Sequence, residues 1–471
     1  MKVVFTFLCL FFVGMILAQN HPKLSGTWEG KLNVGVALRL VFIFNDSAGI
    51  IKGTSYSPDQ GNQPIPCTDI SLKGDSINFS IPSLNVTFAG IFSNDSIISG
   101  KLTQGKTFDL ILLKVLKPSE LHRPQTPHPP YSYRIEEVEY DNADKSLHYG
   151  ATISIPPGKG PFPALLLITG SGPQNRDEEI FGHKPFAVIA DHLTKDGFAV
   201  LRVDDRGVGK STGQFSTSTS ADFAADVQNS LNYLKSRKEI EIKRIGMLGH
   251  SEGGMIAPLV ASQRNDINFI VLLAAPGEKI LKLMQEQNIA VLKSSGISKE
   301  AAESYGDLFG KLMSAVIETK NMTAAKEQMT LALNDWIKIT SKNIVTITTG
   351  ITNDSTQQQF LNGLGASFSY EWLKYFLQFD PADYLKKLHC KVLALNGDKD
   401  LQVSSKSNLE GIRNALKASQ SPSYDVKEIP GLNHLFQYCK TCTISEYGEL
   451  EETFSPKVLD IISEWLNKNV K

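Results

Sequence analysis

The sequence has no excess of charge of one sign, few cysteines and almost no long hydrophobic runs. Each of these features excludes a class of protein or a kind of site. Lys and Arg number 48 against 49 Asp and Glu, which gives a formal net charge of −1. Without a basic excess, the chain lacks the long-range positive field that attracts nucleic acids and other polyanions. We therefore expect no nucleic-acid partner.

The one long hydrophobic run stands at the amino terminus, where "MKVVFTFLCLFFVGMILAQN" places Lys2 before an apolar stretch over residues 3–17. This stretch is shorter than a membrane-spanning helix requires, and its position is typical of an export signal. We interpret residues 1–18 as a signal peptide cleaved near Ala18, with an uncleaved anchor as the alternative. The mature protein is then expected to be periplasmic or secreted, with no stable membrane span.

The chain has five cysteines, of which Cys439 and Cys442 form a C-x-x-C pair in "QYCKTC". A zinc site would need two further ligands at a similar spacing, and the sequence has no second such pair. We therefore expect no metal site. In an exported chain the pair is expected to form a local disulfide, with free thiols as the alternative.

One segment resembles part of a nucleotide-binding loop, "GVGKS" at residues 207–211. The full phosphate-binding pattern requires a glycine at position 204, where Asp204 stands instead. We therefore expect no nucleotide, and no other cofactor is implied. The neighbouring Arg206, in "DDRG", is expected to pair with a carboxylate and brace a loop at the end of a strand.

The chain divides into two regions of different texture, since 471 residues are too many for one ordinary domain. Residues 24–116 contain short β-rich runs separated by Asn, Asp, Gly and Ser, which predicts a small all-β barrel or sandwich. This region lacks a cluster of titratable residues, so we interpret it as an accessory domain. Residues 117–133 contain five prolines and are predicted to be an extended linker.

Residues 134–471 alternate short apolar strands with helical segments, which predicts a mostly parallel sheet covered by helices on both faces. Residues 280–385 interrupt this alternation with helical sequence alone. The interruption leaves the sheet after "LLAAPG" and returns before "CKVLALNGDKD". We therefore predict that it forms a helical cap over the site.

The segment "RIGMLGHSEGGMIAPL" places Ser251 in the pattern G-x-S-x-G, between an apolar strand and a helix. A serine at such a sharp turn needs small neighbours, because larger side chains would collide with adjacent backbone. The amino terminus of the following helix also favours developing negative charge. These features predict a nucleophile, and the alternative is an ordinary serine in a glycine-rich turn.

A nucleophilic serine needs a histidine base and a carboxylate that orients the base, here in the chain order serine, acid, histidine. Two histidines follow Ser251. His389 precedes a buried strand, at the wrong end of the sheet, whereas His434 follows one, at the end where open α/β sheets place ligands. We therefore choose His434 as the base. Asp400 is the predicted acid by its placement after a strand, with Asp398 in reserve.

Two backbone N–H groups are needed to stabilise an oxyanion. The residue after the nucleophile, Glu252, is predicted to supply one. The loop after "ALLLITG" is predicted to supply the other, from Ser171 or Gly172, because glycines there permit close approach of the backbone to a substrate.

Five motifs in this order, "TGSGPQNRDEE", "RVDDRGVGKSTG", "GHSEGG", "NGDKD" and "GLNHLF", resemble those of the α/β-hydrolase superfamily. More narrowly, the chain is similar to exported bacterial serine esterases with an amino-terminal β domain. The resemblance covers about residues 135–470 and implies the α/β-hydrolase fold. It also implies Ser251 as nucleophile, Asp400 as acid and His434 as base.

The expected function is that of a serine hydrolase, namely a carboxylesterase that cleaves a small-molecule acyl ester through an acyl-enzyme. A serine peptidase of the aminopeptidase kind, an acyl thioesterase and an acyltransferase use the same groups and stay open as alternatives. A non-catalytic binding protein on a hydrolase scaffold is the alternative from another class. The presence of all three triad residues argues against it.

Overall fold

The structure is a computed structural model that describes residues 23–471 except 35–36, 48–49, 60, 120 and 365–368. The predicted signal peptide lies outside the described residues. The chain divides into two compact units, with the boundary between Leu121 and His122. The boundary falls inside the segment predicted to be a linker.

The first unit is a closed antiparallel barrel in which each strand pairs with the next and β8 pairs with β1. The strands are β1 (Gly26–Asn33), β2 (Ala37–Ser47), β3 (Ile50–Ser57), β4 (Gly61–Lys73), β5 (Ser76–Ile81), β6 (Val86–Asn94), β7 (Ile97–Gln104) and β8 (Lys106–Val115). The prediction of a small all-β domain is therefore confirmed, and of the two architectures left open the structure has the barrel.

Large aromatic side chains fill the interior of the barrel, as expected for a barrel of this strand number. The most buried of them are Trp28, Phe42, Phe44, Phe79 and Phe88. Their rings pack closely, with centroids 5.1 Å apart for Phe42 and Phe79 and 4.9 Å apart for Phe79 and Phe88. The barrel is therefore stabilised by an aromatic core of its own.

The second unit is built on an eight-stranded sheet in the order β16-β15-β14-β13-β11-β12-β10-β9. The strands are β9 (Arg134–Asp141), β10 (His148–Ile155), β11 (Phe162–Ile168), β12 (Ala199–Val203), β13 (Ile240–His250), β14 (Phe269–Leu273), β15 (Lys391–Gly397) and β16 (Tyr424–Ile429). Strand β10 is antiparallel to both of its neighbours, and the other pairs are parallel. This is the mostly parallel sheet that the sequence predicts.

Helices cover both faces of this sheet. In chain order they are α1 (Pro185–Lys195), α2 (Ser220–Ser236), α3 (Glu252–Ala261), α4 (Ile280–Ser294), α5 (Lys299–Glu318), α6 (Met322–Ile339), α7 (Lys342–Thr349), α8 (Asp354–Gly363), α9 (Tyr370–Gln378), α10 (Ala382–Leu385), α11 (Ser405–Lys417) and α12 (Pro456–Asn469). Along β11, Leu165 and Leu167 join an apolar core with α1 and α12, whereas Leu166 and Ile168 join a second core with α2 and α3. Alternate residues of one strand thus face two separate cores.

The predicted insertion is helical, since α4 to α10 all lie between β14 and β15. Several of these helices begin at a Ser or Asn whose side chain accepts a hydrogen bond from the first turn, as at Ser298, Asn321 and Ser341. Their apolar faces join the core that also contains α3. Among the described helices, none is long and apolar enough to cross a membrane.

Helix α2 begins with a capping box. The N-cap residue is Thr219, whose backbone is extended. Asp222 accepts a hydrogen bond from the backbone N–H of Thr219 at 2.8 Å, which is the returning half of the box. Side chains of the sequence itself thus bond the free backbone groups at the start of this helix.

The last part of the proline-rich segment is bound to the second unit. The Arg123 guanidinium donates hydrogen bonds of 2.8 Å to three main-chain carbonyls, those of Phe181, Gly448 and Leu450. The Gln125 side chain donates to the carbonyl of Phe454 and accepts from the N–H groups of Thr453 and Phe454. Side-chain hydrogen bonds thus fix a segment whose composition predicts a spacer.

We expect Arg123→Ala to lower the free energy of unfolding of the second unit by at least about 1.5 kcal/mol, since a hydrogen bond to a charged group contributes about that much. Urea unfolding of the full chain measures the change. Arg134→Ala is the matched control, because Arg134 is 53% exposed and exposed ion pairs contribute roughly 0–1 kcal/mol. Equal losses in the two variants would show that Arg123 does not hold the segment.

Candidate active site

Ser251 occupies a strained turn between the end of β13 and the start of α3. Its φ is 53° and its ψ is −117°, a region that residues with a side chain rarely adopt. The Ser251 N–H donates to the carbonyl of Leu273 at 2.9 Å, which ties the turn to the neighbouring strand β14. Strain of this kind persists where the surroundings determine the backbone, and it is concentrated at functional sites.

The glycines around Ser251 are required by close backbone contacts. A Cβ atom on Gly249 would lie 2.1 Å from the carbonyl oxygen of Gly253. A Cβ atom on Gly253 would lie 2.1 Å from the carbonyl oxygen of Ile168 at the end of β11. The first turn of α3 therefore packs against two strand ends at a distance that excludes any side chain.

The predicted acid and base lie together after the ends of neighbouring strands. His434 follows β16, Asp400 follows β15, and His434 Nδ1 is 2.8 Å from Asp400 Oδ2. The other carboxylate oxygen of Asp400 accepts from the backbone N–H groups of Gln402 at 2.8 Å and Val403 at 2.9 Å. Asp400 and His434 are both buried. Because Nδ1 is bonded to Asp400, Nε2 is the ring nitrogen available to a reacting group.

The two residues that the sequence ranked lower lie elsewhere. Asp398 accepts a hydrogen bond of 2.6 Å from the backbone N–H of Gly431 and so joins the loops after β15 and β16. His389 is exposed and precedes β15. The structure thus pairs Asp400, not Asp398, with His434.

The loop predicted to supply the second oxyanion donor runs beside the serine. A Cβ atom on Gly170 would lie 3.3 Å from the Cβ of Ser251. Gly172 follows two residues later with a φ of 98°, a conformation that favours glycine. Ser171 is exposed, and the backbone of Glu252 begins α3 on the other side of the serine. Gly170, which directly precedes the predicted oxyanion residues of this loop, is therefore in contact with Ser251.

Two functional candidates that the sequence did not indicate are His250 and Glu178. His250 Nε2 lies 3.0 Å from the carbonyl oxygen of His434, and His250 Nδ1 lies 3.0 Å from Glu178 Oε1. The same oxygen of Glu178 accepts from the N–H of Gly170 at 2.6 Å. Glu178 belongs to the motif "TGSGPQNRDEE", but it lies 72 positions before His250 in the chain. Nothing in the sequence indicates that the two side chains pair.

The side chain of Glu252 is a third unpredicted feature. It is buried, and its Oε1 accepts hydrogen bonds from Ser220 of α2 at 2.5 Å and from the indole N–H of Trp372 at 3.2 Å. Burial raises the pKa of Glu252 to about 7, against the opposing effect of these two donors. Trp372 lies on α9, so the helical insertion contacts the residue that directly follows the serine.

A cleft of about 730 Å³ opens beside Gly172 and Trp372. The loop after β11 lines it at Gly172, the loop after β12 lines it at Phe215, and α9 lines it at Trp372. The cleft is thus lined by two aromatic rings and by a glycine of the predicted oxyanion loop. A ligand in this cleft would lie between the sheet edge and the helical insertion.

The remaining predictions concern groups outside this arrangement. Cys439 and Cys442 form a disulfide, as predicted. With Glu446 they make up a group of metal-ligating side chains among the described residues, but their two sulfurs are bonded to each other. Arg206 pairs with Asp226 at 2.9 Å, which confirms its predicted bracing role.

Comparison with known proteins gives a consistent result. A family model described as serine aminopeptidase, S33, matches residues 184–352. Esterase EstD of Thermotoga maritima is 27% identical over 320 residues, covering 67% of this chain and 65% of its own length, so the chain spans just under two thirds of that relative. An uncharacterized 31.7 kDa protein of Escherichia coli is 22% identical over 329 residues, covering 68% of this chain and 95% of its own.

Among solved structures, the α/β hydrolase GrgF from Penicillium sp. sh18 superposes with a TM-score of 0.44 and 15% identity, covering 72% of this chain and 99% of that one. Sheet order, the glycine-lined turn at Ser251 and the sequence relatives agree with the resemblance seen in the motifs. The chain therefore has the α/β-hydrolase fold, preceded by an amino-terminal β barrel, and it is similar in sequence to a serine aminopeptidase family and to an esterase.

Proposed function

We propose that this protein is a serine hydrolase that cleaves carboxylic esters. The observation that carries the proposal is the 2.8 Å bond between His434 and Asp400, on the same sheet edge as the strained turn at Ser251. The similarity to a protein named as an esterase supports ester cleavage.

In the proposed mechanism Ser251 Oγ attacks the ester carbonyl carbon while Nε2 of His434 takes the hydroxyl proton. Asp400 accepts the Nδ1–H bond, which fixes the tautomer with Nε2 unprotonated and stabilises the imidazolium after proton transfer. The imidazolium then protonates the leaving alcohol and an acyl-enzyme forms. Water attacks this ester with His434 again as base, and the acid product leaves with Ser251 restored.

The oxyanion of each tetrahedral intermediate is proposed to accept hydrogen bonds from the backbone N–H of Glu252 and from that of Ser171 or Gly172. The N–H of Glu252 belongs to the first turn of α3, where unpaired N–H groups and the helix dipole favour negative charge. Donors held by a glycine-packed backbone need no rearrangement when the charge develops, which is the condition for strong stabilisation.

The proposed substrate is a small-molecule acyl ester bound in the cleft between Gly172, Phe215 and Trp372. Residues 280–385 act as a cap in this proposal, because Trp372 closes one side of the cleft and binds Glu252. We also propose that the protein is exported, which the amino-terminal sequence and the disulfide support. Amino-terminal sequencing of the exported protein tests this localisation.

We expect a fluorophosphonate probe to label the full-length protein on one residue, and Ser251→Ala to abolish the labelling. The reason is that only a serine with an adjacent base reacts readily with this electrophile. Mass mapping of the labelled peptide identifies the site. A folded protein that takes up no probe would favour the non-catalytic binding protein instead.

We expect Asp400→Asn to lower kcat by about 10⁴-fold, because an amide in place of the carboxylate favours the wrong imidazole tautomer. Asp398→Asn is the matched control. Its new side chain keeps an oxygen for the N–H of Gly431, so kcat is expected to stay within about threefold. Steady-state hydrolysis of a 4-nitrophenyl ester measures both, and the opposite ranking would refute the assignment of the acid.

A serine peptidase is the second candidate, favoured by the description of the matching family model. Acyl esters of graded chain length, aminoacyl anilides and acyl thioesters separate the candidates on the purified protein. We expect the highest kcat/KM for an ester, because the cleft borders on aromatic rings. A higher kcat/KM for an aminoacyl anilide would replace the esterase by the peptidase, and a preference for thioesters would favour a thioesterase.

A further inference from the structure

Two buried side chains connect the three segments that carry the proposed chemistry. His250 belongs to the turn at Ser251, and its ring bonds to the carbonyl of His434 in the loop after β16. Glu178 bonds both to His250 and to the N–H of Gly170 in the loop after β11. Neither side chain has a part in the mechanism proposed above. Together they form a bridge from the nucleophile to the base and to the oxyanion loop.

The partners of His250 determine how many protons its ring carries. A carbonyl oxygen can only accept, so Nε2 must donate to His434 at 3.0 Å. Nδ1 faces Glu178 Oε1 at 3.0 Å, an oxygen that already accepts from the N–H of Gly170. An N–H donor at this oxygen stabilises the ionised carboxylate. An ionised carboxylate facing Nδ1 requires a proton there too, and with both nitrogens protonated the ring is an imidazolium.

Burial alone would lower the pKa of His250, but the Glu178 carboxylate opposes this effect and the net result is a raised pKa. The other titratable groups that face the pair come from neighbouring loops. His434 has its ring centroid 4.8 Å from that of His250, and the charge of Asp400 also favours the imidazolium. The pKa of the buried Asp205 is raised by its burial and, to a smaller extent, by the nearby Glu178.

We propose that His250 and Glu178 are a positioning pair that holds Ser251, His434 and the oxyanion loop in their reactive arrangement only while His250 is an imidazolium. The proposal rests on the proposed hydrolase function. Loss of the Nδ1 proton would set a ring lone pair against a carboxylate oxygen, and the contact to Glu178 would open.

The sign of the pH dependence follows from the direction of the pKa shift. A histidine whose pKa is raised in the folded protein keeps its proton above the usual pKa of about 6.5 and loses it as the pH rises further. The paired arrangement is therefore complete below the usual histidine pKa and is lost as the pH rises through the raised pKa of His250.

The test is Glu178→Gln in the full-length protein, with kcat and KM for a 4-nitrophenyl ester measured across the pH range. Without the carboxylate, His250 loses its proton at lower pH. We expect the alkaline limb of the kcat profile to move down by one pH unit or more, with KM changed less than twofold. An unchanged alkaline limb would overturn the proposal, since a structural role would lower stability without moving a pKa.

Glu139→Gln is the matched control. Glu139 lies 3.1 Å from Nε2 of His148 in a partly exposed pair on β9 and β10, so the same substitution is made at another His–Glu pair. The alkaline limb of this variant is expected to stay in place. A shift equal to that of Glu178→Gln would mean that the effect is unspecific and would overturn the proposal.

Nitrogen-15 NMR of labelled histidines tests the protonation state without any activity. The His250 ring signals of the wild-type protein, identified by their loss in His250→Gln, are expected to show both nitrogens still protonated above the usual histidine pKa of about 6.5. A neutral ring overturns the proposal even if Glu178→Gln fails to fold. Failure of the fluorophosphonate to label the wild-type protein would reject the hydrolase function instead, so the two failures are distinguishable.

Discussion

The close packing of α3 against two strand ends is the constraint on which the site depends. Because Gly249 and Gly253 have no side chains, the helix begins directly at the end of β13, with Ile168 of β11 in contact. Because the strand passes directly into the helix, Ser251 cannot adopt an extended conformation. Its backbone turns sharply instead, with a φ of 53°. The hydrogen bond from Ser251 to Leu273 then ties the turn to β14. A larger residue at either glycine would move the helix, the serine and the N–H of the next residue together.

The acid and the base depend on the same sheet in a different way. Asp400 and His434 stand after β15 and β16, which are parallel neighbours, so their side chains meet at the carboxyl edge. The order of these residues in the chain and their positions after strands suffice to predict that Asp400 and His434 lie close together. Both Asp398 and Asp400 follow β15, so the position after a strand limits the choice to these two. The structure distinguishes them, because Asp398 binds the N–H of Gly431 and Asp400 binds His434.

Other parts of the structure could not be predicted, for physical reasons. Strand β8 lacks a clear alternation because two of its outward residues are apolar, with Ile111 56% exposed and Leu113 49% exposed. Strand β4 contains two prolines, which disfavour strand structure when only the sequence is read. The contact of Trp372 with Glu252 joins residues 120 positions apart, and no local pattern encodes it.

The two sheets differ in how they end, and this has a consequence for their contact with other protein chains. In the barrel every strand has a neighbour on both sides, so its backbone groups are paired around the ring. The open sheet ends at β9 and β16, whose sequences "RIEEVEYD" and "YDVKEI" place charged side chains along each free edge. Charge at an edge opposes the addition of a strand from another molecule. Both sheets are thereby protected against intermolecular β-pairing, one by closure and the other by electrostatic repulsion.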